Sequence, residues 1–494
     1  MNINPLLQTD FYKQSHYKMY PKGTTKIYSN LTPRKSRIPG IDGVVVFGIQ
    51  YMVVNYILNQ WDKNFFGQKK EYVIGHYKNM IDNTLGKDSV DLEHIEKLYD
   101  LGYMPLKIKA LPEGTICPIG VPVMTITNTV DHAYWLVNFL ETIISATTWM
   151  PMTSATIAFQ YKKILTKWAD KTCDNRDHVQ WQGHDFSMRG MAGLEAACIS
   201  GAGHLLSFTG TDTIPAIQFL NQYYYSNPNY ELVGASVPAT EHSVMCMGTK
   251  DDEQGTFERL LDLYPTGILS VVSDTWDLWK VLTQFLPNLK EKILARDGKL
   301  VIRPDSGDPV DIICGKQYDI TVGELRECTS EEKGVVELLW ETFGGTINEK
   351  GYKVLDSHVG CIYGDSITMQ RAEEICKRLE EKGFASSNIV LGIGSYTYQY
   401  NTRDTFGFAV KATYGEVNGE ARAIFKDPIT DDGTKKSAKG LLKVIKLDDG
   451  SLVLANNVDK QAETEGELVT IFEDGVFKKD YTLAQIRERL NEYL

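Results

Sequence analysis

The chain has 494 residues, 43% of them hydrophobic and 23% charged, with a formal net charge of −12. That length predicts two domains or one large elaborated barrel, and the acidic balance argues against a nucleic-acid protein that works by neutralising phosphates in bulk. Eight scattered cysteines with no CxxC pair fit a reducing compartment better than a disulfide framework or a zinc site, so a cytoplasmic location is expected.

The opening residues, MNINPLLQTDFYK, lack the basic-then-apolar shape of a signal peptide. The two most apolar tracts, 44–58 and 133–152, carry Gln50 and Asn55 in the first and Glu141 in the second. They are expected to be buried helices of a soluble core, with no membrane partner. Between them, LKIKALPEGTICPIGVPVMTITNT (106–129) is strand-rich, and its Pro-Glu-Gly turn predicts a hairpin.

From about residue 180 to 395 the rhythm changes to short apolar runs, each followed by a polar cluster and then a helical pattern. ILSVVSD precedes TWDLWKVLTQFL, KLVIRPDSGDP precedes a helix with a Thr329/Glu332 capping box, and HVGCIYGDS precedes TMQRAEEICKRLEEKG. Alternating βα units imply a parallel sheet with its site at the strands' C-terminal ends. Beyond residue 405 the pattern returns to strands, closing with a helix that opens on a Thr482/Gln485 capping box. The expected fold is α/β: an irregular α/β barrel over 151–404, with a second, mostly-β domain with flanking helices built from the N- and C-terminal segments, 1–150 plus 405–494.

The strand ends carry HDFSMRG (184–190), GTDT (210–213), SVPATEHS (236–243), SVVSD (270–274), IRPDSGDP (302–309), YGDS (363–366) and GIGSYT (392–397). A barrel points all of them into one pocket. There they collect Asp212, Asp274, Asp305 and Asp365, Arg189 and Arg303, the ring of Phe186, and His242 beside Glu241. Any one of these residues alone is more often a helix cap or a core residue. Their alternation with arginines and Gly-rich turns on one side of a sheet favours a phosphate site, with Arg403 as a further bidentate contact. Carboxylates near phosphates predict Mg²⁺. GIGSYT lacks the third glycine of a dinucleotide fold, and nine histidines without an HxH pair make a metal-dependent hydrolase a poor reading.

In this order and spacing these motifs, with FKDP (425–428) and the N-terminal TDFYKQSHYKMYP (9–21), closely resemble the nicotinamide phosphoribosyltransferases, a family of type II phosphoribosyltransferases, nearly end to end. The resemblance implies a homodimer with active sites at the interface. It implies transfer of the phosphoribosyl group of 5-phosphoribosyl 1-pyrophosphate to nicotinamide, releasing pyrophosphate, with Mg²⁺ and with ATP hydrolysis coupled through a phosphohistidine. By motif, Phe186 and the partner subunit's Tyr12 sandwich the pyridine ring, Asp212 accepts from the carboxamide, and Arg189 and Arg303 lie beside it. Arg303, Asp305, Gly364 and Asp365 face the ribose; Gly392, Gly394, Ser395 and Arg403 take its phosphate. Arg34, Lys411, Lys426, Ser236 and Ser270 match groups that hold pyrophosphate or ATP. His242 matches the phosphorylated histidine, Glu241 and Asp274 are candidates to orient it, and Asp274 and Asp305 are candidates to hold Mg²⁺.

The chain departs from the family at Ser395 (usually glycine), at Met188 (commonly aromatic), and in a short loop after Arg34 that leaves Lys35 and Arg37 unmatched. An acid-specific nicotinate phosphoribosyltransferase and a non-catalytic binding protein of the same fold are the competing readings. Asp212 opposes the first, and the intact histidine, carboxylates and arginines oppose the second.

Overall fold

The computed structural model describes residues 3–317, 327–364, 366–426 and 438–494. Asp365, assigned above to the ribose region, lies outside them. The chain forms two compact units. The first comprises Met1–Thr156, Phe219–Ser226 and Asn401–Tyr493; the second comprises Ile157–Gln218, Asn227–Tyr400 and Leu494. Among the described residues no helix is long and apolar enough to cross a membrane.

The first unit is organised by a seven-stranded antiparallel sheet. Its strand order is Glu420–Ala423, Ala409–Val417, Thr24–Thr32, Met124–Asn128, Leu106–Ala110, Val469–Glu473 and Val476–Phe477. Strand Thr24–Thr32 pairs with Ala409–Val417 on one side and Met124–Asn128 on the other, so early and late segments share one hydrogen-bonded ladder. Alternation sends Ile27, Ile108 and Ile126 into the core, where they are at most 2% exposed.

The hairpin expected at Pro112–Gly114 does not form. Strand Leu106–Ala110 pairs instead with Met124–Asn128, and Ile116–Pro118 pairs with Gly43–Val45. The tract 44–58 accordingly starts as a strand and becomes helical only from Ile49, as β-branched Val44–Val46 favour. The turn diverges because Glu113 is needed elsewhere: its carboxylate accepts from the backbone N–H of Gln50 at 2.6 Å and of Gly48 at 3.3 Å, satisfying donors at a helix start. Gly114 has φ +89°, and a Cβ there would sit 2.6 Å from the Ile486 carbonyl oxygen. Both capping boxes form, at Thr329/Glu332 and Thr482/Gln485.

Burial pushes the Glu113 carboxyl up to about 7, against the pull of its backbone N–H partners. The unfolded chain releases this proton near the ordinary carboxyl value while the folded chain still holds it. The group's contribution to stability is therefore greatest at low pH and falls as pH rises toward 7, by roughly 3 kcal/mol. Urea midpoints of the wild type are expected to fall more between about pH 5 and about pH 8 than those of Glu113→Gln. Equal pH dependence in the two proteins would refute that assignment.

The second unit contains a curled sheet of parallel strands in the order Gly210–Thr211, Gly183–Asp185, Ile389–Ile393, Val359–Tyr363, Asp297–Arg303 and Thr266–Val272. Parallel bridges Gly210–Ala235 and Ala239–Ser270 attach the segment 235–239 to both edge strands. Consecutive buried residues along these strands, Val271 and Val272 and all of Val359–Tyr363, are what a parallel sheet covered on both faces requires.

Candidate active site

The parallel register brings several strand ends to one level. His184 stands opposite Gly210 and Gly392, and Asp185 opposite Thr211 and Ile393. The Phe186 N–H donates to the Ile393 carbonyl, and the Asp212 N–H to that of Asp185, each at 2.9 Å. Asp185 is fully buried and ties the turns together, accepting from the Ser187 N–H at 2.9 Å and the Thr213 hydroxyl at 2.7 Å. Above these ends opens a cavity of about 780 Å³, lined among others by Phe186, Asp212, His242, Arg303, Asp305 and Gly394.

At one side of it the rings of Phe186 and His184 lie 4.6 Å apart, and the Arg303 guanidinium sits 6.0 Å from the centroid of Phe186. Asp212 Oδ1 takes hydrogen bonds from His184 Nε2 at 2.9 Å and from the Ser236 hydroxyl at 2.6 Å. Among the described residues none donates to its Oδ2. Burial alone would raise the Asp212 pKa, but the His184 and Ser236 hydrogen bonds and the Arg303 charge outweigh it and hold the carboxyl below its ordinary value. The site thus presents an aromatic face beside a firmly ionised carboxylate with one oxygen open.

A few residues away, Glu241 precedes a short helix, His242–Met247. The His242 Nδ1 lies 3.1 Å from the Thr275 hydroxyl, and Nε2 lies 4.0 Å from both Asp274 Oδ1 and Asp305 Oδ2. Asp274 is anchored through its other oxygen, which accepts from the N–H of Asp305 at 2.8 Å and from the N–H and hydroxyl of Ser306 at 2.7 and 2.6 Å. Its Oδ1 is buried without a hydrogen-bond partner. The Glu241 carboxylate is taken up by the Ser243 hydroxyl.

Arg303 is held by its own bond to the Thr240 carbonyl at 2.6 Å. A Cβ at Gly364 would fall 2.4 Å from Asp305 Oδ1, and one at Gly190 2.1 Å from Ser395 Oγ, so two of the motif glycines are there for close approach. Gly394 and Ser395 start helix Ser395–Gln399 beside the cavity, while Gly392 lies within its strand.

Arg189 lines the cavity with Met188. Ser270 does not: it is buried in its strand, its hydroxyl unpartnered. Tyr12, Arg34, Arg403, Lys411 and Lys426 belong to the other unit, where Arg34, Lys411 and Lys426 line a cavity of about 740 Å³. Sequence reasoning passed over four residues here. His184 and Thr275 sit inside or next to quoted motifs, and the HDF spacing, with His184 on a strand and Phe186 two residues on, just past its end, could have placed both on one face. The contacts of Ser306 and Asp185 carried no sequence signal beyond proximity.

Residues 181–491 match the Nicotinate phosphoribosyltransferase (NAPRTase) family, and residues 4–108 match the Nicotinamide phosphoribosyltransferase, N-terminal domain. The chain is 53% identical over 504 residues to a nicotinamide phosphoribosyltransferase of Acinetobacter baylyi, covering 100% of this chain and 98% of that one. It is 36% identical over 455 residues to one of Mycoplasma pneumoniae, covering 89% and 95%. Two solved structures share the fold at 15% identity. They are a nicotinate-nucleotide pyrophosphorylase from Pyrococcus furiosus (TM-score 0.58, covering 99% and 95%) and human nicotinic acid phosphoribosyltransferase (TM-score 0.54, covering 98% and 93%).

Proposed function

Since the chain belongs to the nicotinate phosphoribosyltransferase family, and within it to the nicotinamide phosphoribosyltransferases of NAD biosynthesis, we propose that the cavity at the parallel strand ends selects nicotinamide and couples its ribosylation to ATP. The observation that carries the reading is the Asp212 carboxylate beside the Phe186 ring, with Oδ1 filled by His184 and Ser236 and Oδ2 open. A carboxamide NH₂ satisfies that oxygen, whereas the carboxylate of nicotinic acid meets a like charge.

In the transfer step the pyridine nitrogen supplies its lone pair to ribose C1. The C1–O bond breaks, and its electron pair leaves with pyrophosphate. No proton moves, so the residues act by orientation and charge rather than as a general base. Phe186 stacks on the ring, and Arg303, fixed by Thr240, balances charge between ring and ribose. Asp274 and Asp305 are the residues that would hold Mg²⁺. Asp274 Oδ1 is buried with its coordination unused, and no cluster of three or more His, Cys, Asp or Glu able to hold a metal occurs among the described residues. Substrate oxygens and waters would complete the shell, as suits this ion. When bound, Mg²⁺ supplies positive charge against departing pyrophosphate.

For the ATP step His242 acts as the tautomer whose Nδ1–H donates to Thr275, which leaves the Nε2 lone pair for the cavity it lines. Nε2 forms a bond to the γ-phosphorus as the bond to the bridging oxygen breaks and its electron pair leaves with ADP. Water later cleaves the N–P bond to give inorganic phosphate. On this reading the protein works as a homodimer, with the exposed Tyr12 and the cations Arg34, Lys411 and Lys426 serving the partner subunit's site.

Nicotinamide and 5-phosphoribosyl 1-pyrophosphate with Mg²⁺, assayed chromatographically with and without ATP, are expected to yield nicotinamide mononucleotide, faster with ATP, and little product from nicotinic acid. Preferential acid product would overturn the reading of Asp212, and ATP-indifferent synthesis would overturn the coupling.

A further inference from the structure

The β-rich unit carries a second lysine-rich concavity that the proposed reaction does not use. Four strands send alternate side chains to one face of the antiparallel sheet. Lys107 and Lys109 stand opposite Thr127 and Thr125, Tyr28 opposite Thr127 and Tyr414, and Lys26 opposite Glu416. With Lys460 and Glu463 they enclose a cavity of about 200 Å³. Four lysines thus face two glutamates, in a chain whose net charge is −12.

Both glutamates are already engaged. Glu463 takes Lys109 at 3.0 Å, and Glu416 takes Lys460 and the Tyr414 hydroxyl, each at 2.8 Å. Lys107, at the cavity's edge, pairs with Glu473 at 3.4 Å. Lys26 makes no close ion pair or side-chain hydrogen bond among the described residues; its ammonium meets only the longer-range charge of Glu416, which stands opposite it. Lys109 is only 5% exposed, and its buried charge is balanced by Glu463, whose backbone carbonyl it also meets. The floor adds the hydroxyls of Thr125, Thr127 and Tyr28; Thr127 donates to the Ile27 carbonyl at 2.9 Å, and Tyr28 lies at a long 3.5 Å from the Leu442 carbonyl, so Tyr28 and Thr125 are the ones an anion could recruit. Ammonium groups converging with hydroxyls on one small space are what a tetrahedral oxyanion requires.

The hairpin Leu441–Lys446/Leu452–Val458 separates this cavity from the one holding Arg34, Lys411 and Lys426: Leu441 and Leu442 pack on Tyr28 and Tyr414, Leu441 lines one cavity and Leu454 the other. The volume falls below the roughly 300–1,000 Å³ of sites for drug-sized ligands, which restricts the occupant to a compact one. We propose that this cavity is a second phosphate-binding site, taking inorganic phosphate or the phosphate group of a small ester, with Lys26 as the ammonium that it neutralises.

The test is acylation footprinting of the full chain by mass spectrometry. Inorganic phosphate, pyrophosphate and ribose 5-phosphate are each compared with chloride at matched ionic strength. A phosphate compound at about ten times its Kd is expected to slow acylation of Lys26 about tenfold, while Lys22, exposed on the same unit, labels at an unchanged rate. In Lys26→Gln the accompanying protection of Lys107 is expected to be lost. Protection at lower concentration by ribose 5-phosphate assigns the site to an ester, and by phosphate or pyrophosphate to the free ion. Unchanged labelling of Lys26 at millimolar levels of all three compounds, or equal slowing by chloride, would overturn the proposal.

Discussion

His242→Ala is expected to abolish ATP hydrolysis while leaving nucleotide synthesis at its ATP-independent rate. The variant removes the one nitrogen that can accept the γ-phosphoryl group in the proposed step, and loss of a covalent nucleophile costs on the order of a thousandfold or more. The surrounding geometry should survive, because His242 is half exposed and starts a short helix at the cavity. Asp274 keeps its bonds to Asp305 and Ser306 without it. Two measurements decide the matter: phosphate release from ATP, and acid-labile, base-stable incorporation of labelled phosphate into the chain. Full ATP stimulation of synthesis in the variant would remove His242 from the mechanism.

Asp212→Asn is expected to change which pyridine is used. The native carboxylate is held ionised by His184, Ser236 and Arg303 despite its burial. A hydrogen bond from a carboxamide to such a charged group contributes about 1.5–3 kcal/mol, so kcat/KM for nicotinamide should fall roughly 10- to 100-fold. For nicotinic acid the change has the opposite sign. Two carboxylates about 4 Å apart repel by about 4 kcal/mol in a surface-like dielectric, and an asparagine that presents its NH₂ relieves this. The ratio of the two kcat/KM values is the readout. An unchanged ratio would mean that selectivity resides elsewhere in the cavity.

The two predictions differ in how much of their basis was legible in the sequence. His242 beside Glu241 drew attention as a pair, yet Glu241 turns to Ser243 and the ring is met by Thr275. Adjacent residues at a helix start point in different directions, so chain proximity was a poor guide to contact. Asp212 was legible from GTDT, but its ionisation depends on His184, 28 positions earlier and one strand over. The short strand Gly210–Thr211 is too brief to announce its partner by pattern.

The antiparallel unit shows the same division. Alternation in 106–110 and 124–128 was readable, and both segments are strands. Which strand pairs with which was not, because a Pro-Glu-Gly turn serves a hairpin or an excursion equally well. The excursion won here because Glu113 reaches helix-start donors more than 60 residues away in sequence.

The sequence by itself determined the local elements: the βα rhythm from 180 to 395, both capping boxes, and the kinds of group at each strand end. These depend on periodicity and on interactions within a few residues. Only the tertiary structure decided which ends stand level, that Asp212 keeps one oxygen open, that Asp274 leaves one unpaired near His242, and that lysines of separate strands converge in a small cavity. Register between distant strands is set by packing over the whole sheet, and no short window of residues contains it.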